Sequence, residues 1–220
     1  MFVRHPPAAI LFDLDGTLID SIGLIVAAME HAYGDRARRP PVSEWIAAIG
    51  TPLDGMLRRW AEDEADVAAL RERYREFQLA EHDAMTTAYP GVIETVRALH
   101  AAGHPLAVVT SKLERGARRS LRFLGFEDCF SAVVGIDATE KHKPDPEPVW
   151  FALERLGGVH RERALFVGDS THDMQAGRSA GLITVAATWG PFSRAELATA
   201  GPAHWLERMD QLPELVRRLA

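Results

Sequence analysis

Five short apolar runs punctuate the chain, at residues 8–12, 105–109, 131–136, 164–167 and 182–186. Most are continuous or β-branched rather than alternating, the pattern of strands covered on both faces. Helical patterns lie between most of them. Val92, Val96 and Leu99 recur at helical spacing over 91–102 before Gly103, and Val149, Leu153 and Leu156 do so over 146–156 before Gly157. Another helix is expected over 113–124. Alternating strands and helices predict an α/β fold with a Rossmann-like, doubly wound parallel sheet.

One interval breaks this rhythm. From 19 to 88 no strand is evident, although a crossover between parallel strands normally needs a single helix. The interval reads instead as several helices: 21–33 closed by Gly34, one opened by Ser43 in VSEWIAAIG, 53–61, and 65–81. The last carries Leu70, Tyr74 and Phe77 at helical spacing with Arg and Glu between them. Tyr89-Pro90-Gly91 is a turn that returns the chain to the alternating pattern. The expected division is an α/β core over 1–18 and 88–220, with a helical cap over 19–87.

Composition narrows the function classes. A hydrophobic fraction of 47% and a charged fraction of 25% are those of an ordinary folded chain, and a formal charge of −6 disfavours a nucleic-acid partner. No stretch approaches a membrane span, and the N-terminal residues lack a secretory apolar run, so a cytoplasmic chain without a membrane partner is expected. Cys129 is the only cysteine, sits beside aromatic residues in FEDCF, and reads as a small buried filler. The sequence leaves the oligomeric state open.

The chemistry-bearing residues follow the apolar runs. Asp13-Leu14-Asp15-Gly16-Thr17-Leu18 comes directly after the first, and LFVGDSTHD sets Asp169 after the fourth with Asp173 four residues on. Ligands bind at the carboxyl ends of strands in open α/β sheets. Carboxylates gathered there repel one another unless a cation neutralises them, and magnesium suits such hard oxygen ligands. Lys143 in KHKPDPEP adds a positive charge after the third run. Thr110 and Ser111 follow the second with hydroxyls able to bond phosphate oxygens, or to cap the helix over 113–124.

These four segments resemble, in the same order, the four motifs of the haloacid dehalogenase superfamily. The resemblance implies that Asp13 is a nucleophile, Asp15 the general acid and base, Lys143 the charge neutraliser, and Thr110 a phosphate ligand. Ser111, Gly16 and Thr17 join the expected substrate-binding set. It also implies Mg2+ held by Asp13, Asp169 and the backbone carbonyl of Asp15, with Asp173 supporting Lys143 or a metal-bound water. KHKPDPEPV and GDSTHDMQAGRSAG are similar to the branch containing phosphoglycolate phosphatases and related pyrophosphatases. The expected activity is therefore a magnesium-dependent phosphatase acting through an aspartyl phosphate on a small phosphorylated substrate. Phosphoglycolate ranks first and pyrophosphate close behind; a phosphomutase shares the first step.

Rival readings lose on particular residues. Dehalogenation needs neither Asp15 nor the acidic GDSTHD segment, and phosphonate hydrolysis needs a cap lysine that 19–88 lacks. A non-catalytic binding protein would usually have lost one of the acids, and all are present. His82, His142 and His172 lack metal-ligand spacing and read as packing or surface residues. Arg118 and Arg119 are expected on a solvated helix face, as are Arg58 and Arg59 unless they meet a second substrate charge. Trp189 either borders the site or anchors the core, and Ile49-Gly50-Thr51-Pro52 either faces the site or only joins two helices.

Overall fold

Residues 8–34 and 36–219 are described by the structure, a computed structural model. Residues 1–7 of the expected core segment 1–18 and of the N-terminal stretch read for a secretory run lie outside the described residues, as do residue 35 of the expected cap and residue 220 of the expected core. The strands in chain order are β1 (Ile10–Phe12), β2 (Ile19–Asp20), β3 (Thr87–Ala88), β4 (Leu106–Val109), β5 (Ala132–Val134), β6 (Leu165–Gly168), β7 (Ile183–Ala187) and β8 (His204–Leu206). Six of them form one parallel sheet in the order β5-β4-β1-β6-β7-β8. Phe12 pairs with Val108 on one side and Val167 on the other, so β1 is central.

Burial on both faces explains the continuous apolar runs. Ile10 and Phe12 join Val108, Val167 and residues of α5 (Val92–Ala101), α6 (Glu114–Phe123) and α10 (Leu212–Leu219) in one cluster. Leu11 faces the other way, into a cluster with Val109, Phe166 and residues of α7 (Glu147–Arg155) and α8 (Thr171–Ala180). Alternation is present in direction but invisible in polarity, since both directions lead to apolar partners. Cys129 is buried in the first of these clusters, where burial pushes its thiol pKa up.

Three expectations are corrected. The interval 19–88 does contain strands: β2 and β3 pair antiparallel at its two ends, Ile19 with Ala88 and Asp20 with Thr87. Two residues are too few to display a period. β8, at the sheet edge, was not foreseen because its run is short and begins with a histidine. Ser43 does not open its helix: α2 (Val42–Ala47) starts after Pro41, whose extended backbone serves as the N-cap.

Between β2 and β3 the chain is helical, with α1 (Ile22–Tyr33), α2, α3 (Leu53–Arg58) and α4 (Glu64–Glu81). Met29, Tyr33, Trp45, Leu57 and Leu70 form an apolar cluster belonging to this insertion alone. Asp63 opens α4 by accepting a hydrogen bond from the Asp66 N–H at 2.8 Å, and Arg36 pairs with Asp66 at 2.7 Å. Among the described residues no helix is long and apolar enough to cross a membrane.

Candidate active site

Asp13 is the first residue beyond β1, and its N–H donates to the Val167 carbonyl at 2.9 Å, tying it to the end of β6. The chain then turns sharply, with the Leu18 and Ile19 amides donating to the Leu14 carbonyl. Gly16 makes that turn with φ at 92°, and a Cβ there would run into the Asp169 carboxyl group. The Thr17 hydroxyl donates to Asp169 Oδ1 at 2.7 Å, and Trp189 Nε1 donates to the Thr17 carbonyl at 3.0 Å. Thr17 therefore orients a carboxylate from a fully buried position, and neither it nor Gly16 lines the cavity as a substrate contact.

Lys143 binds this loop to the end of β4 and to the first turn of α8. Its Nζ donates to Asp13 Oδ1 and Asp173 Oδ1, each at 2.7 Å, and to the Val109 carbonyl at 3.1 Å. Asp173 Oδ2 accepts from the Ser170 amide at 3.0 Å and the Ser170 hydroxyl at 2.6 Å in a capping box that opens α8. Both Asp173 oxygens are thus engaged within the protein, one of them by Lys143. The position before Asp169 is Gly168 because a side chain there would collide with Asp173.

The floor of the site is short of positive charge. Asp13, Asp169 and Asp173 bring carboxylate oxygens within 4.8 Å of one another, all three residues are buried, and Lys143 is their one cationic partner among the described residues. Burial pushes the Asp13 pKa up to about 7 against the opposing pull of Lys143. Burial, then Asp13 and Asp173, raise Asp169 well above the usual carboxylate range. Burial alone would lower Lys143, but Asp13 and Asp173 outweigh it and hold the ammonium above its ordinary value. Asp169 Oδ2 is buried with no hydrogen-bond partner among the described residues. Fully ionised, three carboxylates against one ammonium would leave two negative charges, which a divalent cation with oxygen ligands would offset. The residues fit Mg2+.

Asp15 lies apart from this cluster. Its Oδ1 accepts from the Ser21 hydroxyl at 2.5 Å and from Lys112 Nζ at 2.7 Å. The Thr110 hydroxyl accepts from the Lys112 amide at 3.1 Å, and the Ser111 hydroxyl donates to the Gly50 carbonyl at 2.6 Å. Ser111 thereby holds the helical insertion to the core, and α6 begins without a side-chain cap from its own segment. Asp137 performs that task by accepting from the Glu114 amide at 2.9 Å.

Above these residues lies a cavity of about 390 Å³ lined by Asp13, Asp15, Thr110, Ser111 and Lys112 from the core side. Residues 49–54 and one side of α4 form its roof, so the Ile49-Gly50-Thr51-Pro52 turn faces the site. Arg58 and Arg59 do not: they are exposed and paired with Glu64 and Glu44. Arg118 pairs with Glu114 and Glu127, while Arg119 crosses to the insertion and meets Asp83 and the Leu79 carbonyl. His82 packs internally, between Ser120 and Asp83. Sequence reasoning missed Lys112 and Ser21 as partners of Asp15. It also missed Tyr74, Arg75 and Gln78 on the roof, although Tyr74 had been placed on the apolar stripe of α4.

Residues 10–187 match the haloacid dehalogenase-like hydrolase family. The chain is 38% identical over 207 residues to pyrophosphatase PpaX of Anoxybacillus flavithermus, covering 92% of this chain and 94% of that protein. It is likewise 38% identical over 208 residues to pyrophosphatase PpaX of Bacillus velezensis, covering 93% and 94%. The crystal structure of a predicted phosphoglycolate phosphatase from Haemophilus somnus superposes with a TM-score of 0.87 at 26% identity, covering 96% of this chain and 99% of that one. With its motif residues gathered at adjacent strand ends and the match running through most of its length, the chain belongs to the haloacid dehalogenase-like hydrolase family.

Proposed function

We propose that the protein is a magnesium-dependent phosphatase of compact phosphorylated metabolites. The observation that carries this reading is the buried Asp13–Lys143 pair at the end of the central strand, with Asp13 and Asp15 both opening onto the cavity. Bound magnesium would be held by Asp13, Asp169 and the backbone carbonyl of Asp15, and would offset charge on the phosphoryl oxygens.

Asp13 uses Oδ1 to accept from Lys143, leaving Oδ2 to attack phosphorus. The oxygen–phosphorus bond to the leaving group breaks as the aspartyl phosphate forms, and Asp15 in its acid form gives its proton to the departing oxygen. Asp15, now a carboxylate, takes a proton from water as that water attacks the aspartyl phosphate, releasing phosphate and restoring Asp13. Lys143 neutralises charge beside the phosphoryl group throughout, and Thr110 offers its hydroxyl proton to a phosphate oxygen. The helical insertion acts as a cap that limits water and substrate size, consistent with a cavity near the lower end of small-ligand pockets.

Pyrophosphate becomes the first candidate substrate and phosphoglycolate the second, because relatives at 38% identity along nearly their whole length carry the pyrophosphatase name. The test is kcat/KM for pyrophosphate, phosphoglycolate and several sugar phosphates, with magnesium and with chelator. A clear preference for phosphoglycolate or for a sugar phosphate would overturn the ranking. Full turnover in chelator would overturn the metal requirement.

A further inference from the structure

Helix α4 and its C-cap residue His82 present Tyr74, Arg75, Gln78, Leu79 and His82 along one wall of the cavity, and offsets of this kind place residues on a single side of a helix. The cations around the cavity differ in what they meet. Lys112 donates to Asp15, and Arg119 is paired with Asp83. Arg115 is exposed at the rim. Arg75 is half-buried and makes no ion pair or side-chain hydrogen bond among the described residues. The other half-buried arginines of the insertion, Arg36 and Arg71, are paired with Asp66 and Asp54.

A partly desolvated guanidinium with no counter-charge is unfavourable, and its rigid fork suits carboxylate and phosphate oxygens. Next to it, the Tyr74 hydroxyl accepts from Gln78 Nε2 at 2.8 Å, so its own proton remains to be donated. Burial, helped by Asp15, holds the phenol pKa above its ordinary value and keeps that proton in place.

We propose that Arg75 determines specificity by receiving a second anionic group of the substrate, a carboxylate or another phosphate, while the scissile phosphoryl group sits against Asp13. Tyr74 adds a hydrogen bond to the same group, oriented by Gln78. The inference rests on the phosphatase reading and sharpens it: substrates with a charged tail are selected over those with a neutral one.

The test compares kcat/KM for pyrophosphate and phosphoglycolate with that for p-nitrophenyl phosphate, whose tail is uncharged. Arg75→Ala should lower the ratio of doubly anionic to aryl substrate by about 10- to 100-fold, mainly through KM, as expected for a lost charge-assisted hydrogen bond. Arg75→Gln, which keeps most of the side-chain shape, should lower it in the same direction, and Arg75→Lys should restore part of it. Arg58→Ala, on the outer surface, should leave the ratio at the wild-type value. Equal losses on all substrates in the Arg75 variants, or no loss, would overturn the inference while leaving the phosphatase reading intact. Absence of turnover of all three substrates by the wild-type protein would overturn that reading, and this inference with it.

Discussion

Lys143, buried beneath the cavity, meets three acceptors contributed by the ends of two strands and the first turn of α8, whereas Arg75 on the roof meets none among the described residues. The floor is overdetermined. Gly16 and Gly168 are excluded from bearing side chains by Asp169 and Asp173, Thr17 orients Asp169, Lys143 holds Asp13, and Asp173 is held at both oxygens. The roof is joined to the core by the short β2–β3 ribbon and a few polar contacts, including Ser111 to Gly50 and Arg119 to Asp83. A rigid floor suits phosphoryl transfer, which depends on charge placement, and a less constrained roof can change its selectivity without disturbing it.

The most severe way to break this contrast is Asp13→Asn. Turnover should fall by roughly 10⁴-fold or more, as for loss of a nucleophile elsewhere. Because burial already disfavours the Asp13 carboxylate, the variant should melt no lower than wild type in chelator at pH 8. Near-native turnover would falsify the assigned mechanism. Asp15→Asn should follow with a loss of about 10²- to 10⁴-fold, from failed proton transfer at both steps. A change below about threefold would remove Asp15 from that role.

Metal removal probes the floor through stability. An unfolded Asp13 loses its proton near the ordinary value of 3.8, while in the folded chain it keeps the proton to about 7. The folded state therefore binds more protons across that window, and its stability falls as pH rises through it. Asp169 acts in the same direction. Melting measured in chelator should decline from pH 5 to pH 8, and saturating magnesium should raise the melting temperature most at the alkaline end. A flat profile in chelator would remove charge crowding from this account of the floor.

The smallest effect is expected at the contact between floor and roof. Ser111→Ala deletes the bond to Gly50, and a single hydrogen bond of this kind corresponds to about a threefold to tenfold change in KM, with kcat little altered. A collapse of kcat instead would place the Ser111 hydroxyl in the chemistry, as its sequence position first suggested.

The same division decides what the sequence could reveal. β1 and β4 to β7 were legible because burial on both faces writes itself as continuous apolar residues, and the acids stood out because each follows such a run. Lys112 gave no such signal: its significance lies in meeting Asp15, distant in sequence and brought near by the β1–β4 pairing. Arg75 gave no signal either: one residue past Tyr74 of the Leu70-Tyr74-Phe77 stripe, it is turned about 100° away from that residue, where a charged side chain reads as solvated, and only the core set against the insertion makes that side of α4 a cavity wall. The strands β2 and β3 could not be read locally, since each exists only through its pairing with the other.

That pairing has a consequence for how the architecture can be rearranged. Ile19 lies opposite Ala88 and Asp20 opposite Thr87, so the chain leaves the sheet layer and returns to it at one doorway. Seen from the core, everything from Ser21 to Thr86 is a detour with coincident start and finish, and its length imposes no strain on the six-stranded sheet. Other helical assemblies of different size could be exchanged through the same doorway, provided that their ends keep the strand spacing, while Asp13 and Lys143 stay where β1 and its neighbours hold them.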